Sequence, residues 1–101
     1  MTDEIQKLVE RLQDQDREVR REAAWALTGQ AGHPEVRTAL VAAVQKDPEE
    51  GVRREAVRAL EGQAGEPEVG AALLAAVRKD PDEDVRQEAA RALAAQAHGE
   101  R

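Results

Sequence analysis

The residues with the means to do chemistry are acidic and basic ones arranged at a fixed period. Asp80, Asp82 and Asp84 alternate as in the opening of a calcium-binding loop, but the sixth position is Val85 rather than Gly and the twelfth is Arg91 rather than Glu. Without the turning glycine and the bidentate carboxylate the ligand geometry fails, and helix capping accounts for the cluster. His33 precedes a proline and His98 lies near the end of the chain, and neither has a Ser or paired carboxylates at catalytic spacing. There is no cysteine, hence no thiolate metal ligand, no thiol nucleophile and no disulfide framework. The expectation is a chain with no catalytic residue, no metal and no cofactor.

The remaining charged residues belong to a recurring phrase. Val19-Arg20-Arg21-Glu22-Ala23-Ala24-Trp25-Ala26-Leu27 returns as Val52-Arg53-Arg54-Glu55-Ala56-Val57-Arg58-Ala59-Leu60. It returns again as Val85-Arg86-Gln87-Glu88-Ala89-Ala90-Arg91-Ala92-Leu93. The copies are 33 residues apart both times, and residues 34–66 match residues 67–99 at 21 positions. Self-similarity at such a period marks an array of stacked units, none of which buries its apolar face alone.

Each unit reads as two helices. Ile5, Leu8, Val9 and Leu12 recur at the spacing of one helical face, with Thr2 as cap, and predict a first helix to about Asp14. Val19, Ala23, Ala26, Leu27 and Ala31 predict the second, with Gly29 and Gly32 at its left-handed end. Pro34 suits a first helical position, followed by the stripe Val36, Leu40, Val44. Asp47-Pro48-Glu49-Glu50 reads as a stop and restart, with Asp47 capping and Pro48 at the first position of the next helix. Pro67, Val69, Leu73 and Val77, then Asp80-Pro81, then Val85, Ala89 and Leu93 repeat the plan.

At 101 residues the chain makes one domain, 1–101, with repeats at about 2–32, 33–65 and 66–98. Aromatics are 1% and charged residues 36%, a composition suited to closely packed Ala-rich helices over a thin core. The net charge of −6 disfavours nucleic acid and anionic membrane. No segment resembles a signal peptide, and the longest apolar run, Ala71–Val77, is far short of the ~20 residues of a membrane span. A cytoplasmic location is expected.

The ankyrin and tetratricopeptide signatures are missing. The phrase instead resembles HEAT repeats, in particular the short units of phycobilisome-lyase-type proteins, where an Asp closes the first helix and an Arg follows six residues later. Asp14 and Arg20, Asp47 and Arg53, and Asp80 and Arg86 keep that spacing. The resemblance implies an all-α solenoid of three helix pairs, six helices in a right-handed superhelical stack, with those Asp and Arg side chains laddering between neighbouring repeats. It also implies that the second helices line the concave face. The first helix departs in register, since Leu8 and Leu12 fall one residue later than Leu40 and Val44 in the next unit.

Related deoxyhypusine hydroxylases bind iron through His-Glu pairs on the second helices. The equivalent positions here are Arg21-Glu22, Arg54-Glu55 and Gln87-Glu88, with every His replaced, so that activity is not expected. What remains on the concave stripe is Arg21, Trp25, Arg54, Arg58 and Arg91. Trp25 stands where the other units have Arg58 and Arg91, and a lone large aromatic among arginines is what interface hot spots favour. The alternative for Trp25 is structural cover over the alanines beneath it. For the arginines it is a face neutralised by Glu22, Glu55 and Glu88.

The function expected is a protein–protein interaction scaffold, with Trp25 as anchor and the arginines reading an acidic peptide or domain. Three other readings stand beside it: an accessory subunit of a bilin-lyase-type enzyme, DNA binding through the Arg stripe, and a designed or excised repeat scaffold without a native partner. The interior pattern of Val85, Ala89, Leu93 and Ala97 on the last helix further suggests a homodimer through the C-terminal repeat, or continuation into a longer array.

Overall fold

The computed structural model describes residues 2–99; residues 1, 100 and 101 of the expected domain lie outside the described residues. The helices are α1 (Asp3–Arg11), α2 (Arg17–Ala26), α3 (Pro34–Lys46), α4 (Glu50–Ala59), α5 (Pro67–Lys79) and α6 (Glu83–Gly99). Among the described residues there is no strand. Sequential helices pair as α1/α2, α3/α4 and α5/α6. The second helices α2, α4 and α6 then pack side by side in one layer, and α3 lies against α5 in the other. The slab measures 36 × 29 × 16 Å and is an all-α solenoid.

The core repeats as the sequence does. Leu27 and Leu60, Leu40 and Leu73, Val36 and Val69, and Val52 and Val85 are fully buried at matching positions. Each such side chain contributes roughly 1.5–3 kcal/mol. Ala23, Ala56 and Ala89 lie between them and let the helices approach closely. At the ends the pattern is left half open: Val19 is half-buried and Ala26 exposed, although both were expected to face inward. Their counterparts Val52 and Ala59 are buried because a preceding helix pair covers them.

Three local expectations are corrected. Helix α1 stops at Arg11 rather than about Asp14. Leu12, Gln13 and Asp14 each donate to the carbonyl three residues back, tightening the chain into a turn. Asp47 does not cap α4, and Pro48 is not its first residue; Asp47 closes α3, and the cap position of α4 is Glu49, whose side chain makes no capping bond. The Asp47 carboxylate accepts instead from Glu49 N in a local turn, as Asp80 does from Asp82 N. The cap of α6 is Asp82, which accepts from Val85 N at 3.1 Å. Finally, the left-handed glycines are Gly29 and Gly62, at φ 88° and 94°, rather than Gly32.

Candidate interaction surface

Between the layers the Arg and Asp side chains form rungs. Arg20 Nε donates to Asp47 Oδ2 at 2.7 Å and Nη2 to Oδ1 at 3.2 Å, while Nη1 donates to the Asp14 carbonyl of its own turn. Arg53 does the same one unit on, with Nε and Nη2 reaching Asp80 at 2.9 and 3.1 Å and Nη1 reaching the Asp47 carbonyl. The hydrogen bond with Asp47 raises the pKa of Arg20 above its ordinary value against the pull of burial. Asp14 and Arg86 stand at the two ends of this series. Arg86 Nη1 donates to the Asp80 carbonyl, and its remaining nitrogens have no partner among the described residues.

The rungs place α2, α4 and α6 in register, so Trp25, Arg58 and Arg91 occupy one row on the second-helix layer. The family model for HEAT repeats matches residues 5–94. The chain belongs to the HEAT-repeat family. No curated protein matches it. HEAT repeats as a class mediate protein–protein interaction.

On this HEAT layer the arginines expected to be open to a partner are engaged. Arg58 Nη1 donates to Glu55 at 3.3 Å and Nη2 to Glu88 at 3.2 Å, and Arg91 Nη1 reaches the same Glu88 at 3.4 Å. Arg54 reaches Asp84 at 3.4 Å with its Nε buried and unpartnered, and Arg21 lies 3.8 Å from Glu18. The hydrogen bond with Glu88 raises the pKa of Arg58, against the opposing effect of burial. The inter-repeat partners sit 30 residues ahead because stacking brings that position of the next helix alongside. The surface is therefore a neutralised weave of charge rather than an Arg fork waiting for a carboxylate.

The turns that lead into the second helices are likewise interlaced with charge. Arg17, Arg21 and Arg54 line the same recess as Glu18, Glu49, Glu50, Asp82 and Asp84, and Arg17 pairs with Glu49 at 3.4 Å. His33 sits at the start of α3 without a side-chain capping bond, and His98 is exposed in the last turn of α6. Among the described residues no three His, Asp or Glu side chains are grouped to hold a metal, and no helix is long and apolar enough to cross a membrane.

Trp25 differs from its row. It is 68% exposed and stands at the edge of a groove of about 720 Å³ lined by the apolar Leu8, Val19, Ala23 and Ala26 and by the charged Arg11, Asp14 and Glu22. Sequence reasoning singled out Trp25 but not this groove. Leu8, one of the α1 residues out of register with the later units, lines it together with Ala23 and Ala26 of α2.

Proposed function

We propose that this chain is a non-catalytic interaction scaffold whose protein partner docks on the second-helix layer, with Trp25 as the anchor. The observation that carries this reading is the exposure of Trp25. A Trp serving as cover for the alanines beneath would lay its ring on them and lose most of its accessible surface, whereas 68% remains. An indole held on a rigid helix beside a groove of apolar floor and charged rim offers large contact area at low entropic cost, which is the make-up of a hot spot. Arg58 and Arg91 form the polar continuation of the row, where acidic residues of a partner would exchange with Glu88 for the same guanidinium groups. Arg21, one turn before Trp25, is only loosely held by Glu18, and Arg11 lines the groove beside the anchor.

Affinity capture from cell lysate with wild type, Trp25→Ala and Arg58→Ala tests this reading. A protein retained by wild type and lost or strongly depleted with both variants is expected. A protein retained equally by all three would move the site off this layer.

A further inference from the structure

We propose that the two ends of the stack are complementary halves of one interface, so that the first helix pair of a second copy of this chain docks on the open face of α5 and α6. This contact would continue the Arg–Asp ladder through Arg86 of one copy and Asp14 of the next. The inference does not rest on the partner reading: it is argued from the end faces, which share Arg91 and the rim of the Trp25 groove with the row.

The two internal junctions are the template. In both, an Arg anchored by Nη1 to the carbonyl of its own turn extends Nε and Nη2 to the Asp of the following unit. Arg86 is already anchored in this way, with Nη1 on the Asp80 carbonyl at 2.7 Å against 2.8 Å for Arg20 and 2.9 Å for Arg53. Its Nε and Nη2 have no partner among the described residues. At the opposite end Asp14 is exposed and accepts from Asp16 N at 2.8 Å, the turn made by Asp47 and Asp80 within the ladder. Each end is thus a preformed half-rung, and ordering a long Arg side chain costs little when it is already held.

The apolar surfaces match by the same logic. Val41, Val57 and Leu60 are covered by the third helix pair, at 8%, 0% and 0% exposure. Their counterparts at the C-terminal face are Leu74, at 43%, with Ala90 exposed and Leu93 half-buried. At the N-terminal face Val19, Glu22 and Ala26 are the open counterparts of buried Val52, Glu55 and Ala59. A second rung follows, because the Arg58–Glu88 pair translates to Arg91 of one copy and exposed Glu22 of the next. Such a contact joins two different faces. It is heterologous, and it extends into an open array unless its rotation closes a ring. A copy seated on the N-terminal face and a partner seated on Trp25 would contend for one edge.

Sedimentation velocity from micromolar to millimolar concentration tests this, with circular dichroism to verify folding. The wild type is expected to grow in mean mass with concentration, past the dimer. Arg86→Asp and Asp14→Arg each place like charges at the junction and are expected to weaken association by about tenfold or more. An equimolar mixture of these two variants is expected to recover it, since the reversed pair Asp–Arg and the original pair then alternate. Leu74→Glu, at an exposed site that the fold does not depend on, is expected to weaken association as well. A wild type that stays monomeric throughout would overturn the proposal. So would association indifferent to Asp14→Arg or Leu74→Glu, or a mixture that fails to recover; indifference to Asp14→Arg alone would point to a symmetric contact between C-terminal repeats.

Discussion

Arg53 and Asp80 meet across the boundary between the second and third helix pairs through two parallel hydrogen bonds of 2.9 and 3.1 Å, with side chains only 11% and 5% exposed. The third arm of the same guanidinium holds the Asp47 carbonyl, so one side chain ties the turn of its own unit to the turn of the next. The planar fork is what makes this three-way tie feasible, and a lysine could not reproduce it.

Removing one member of this rung leaves the other buried and unpaired. Arg53→Ala is expected to lower the unfolding free energy by about 3 kcal/mol. Arg17→Ala, which breaks the exposed contact with Glu49, is expected to cost under about 1 kcal/mol. Urea titrations of the two variants check the contrast, and equal losses would contradict the role assigned to the ladder.

Two helical glycines should respond in opposite ways to alanine. A Cβ on Gly51 would meet only the Arg21 side chain, at an ordinary 3.7 Å, so Gly51→Ala is expected to stabilise by a fraction of the ~1 kcal/mol propensity difference. A Cβ on Gly70 would lie 2.9 Å from the backbone oxygen of Ala64, which has no room to yield without moving the turn. Gly70→Ala is expected to destabilise despite the better helix former. Thermal melts of both variants decide it.

The caps give a further contrast. Asp82 accepts from Val85 N and Glu49 accepts from no backbone N–H, although both occupy the cap position of a second helix. Asp82→Ala is expected to cost about 1 kcal/mol and Glu49→Ala only a few tenths of that. Equal shifts in urea midpoint would count against this assignment.

The repeat phrase made the fold legible, because its period, its proline-led first helices and its buried Leu and Val positions all point to one packing. The resemblance carried by the Asp and Arg spacing implied a ladder, of which Arg20–Asp47 and Arg53–Asp80 are the rungs, while Asp14 and Arg86 bridge no units among the described residues. What the spacing hid was the use of Asp47 and Asp80. An Asp before Pro reads as a cap, yet each of these carboxylates accepts from an Arg of the preceding unit on both oxygens and from a local turn on Oδ1. The pairing of Arg54 with Asp84 and of Arg58 with Glu88 was hidden for a related reason. Their partners are distant in sequence and become neighbours only when the second helices stack. The early end of α1 depends on three tightened turn bonds that no apolar spacing records.

Exposure also separates the anchor from the fold. Since Trp25 buries little of its surface, Trp25→Ala is expected to change stability by less than about 0.5 kcal/mol, while Leu60→Ala, at a fully buried site, is expected to cost 2–5 kcal/mol, by roughly the usual scale of core truncations. Denaturant titration of the pair measures both.

Docking of a partner on the second-helix layer through Trp25 is the proposal most open to a single experiment. The direct measurement is calorimetric titration of the captured partner into wild type, Trp25→Ala and, as a control on the opposite layer, Lys46→Ala. Trp25→Ala is expected to weaken binding by about thirtyfold or more, the scale of a hot-spot residue, with Lys46→Ala unchanged. A Trp25→Ala affinity equal to wild type would contradict it.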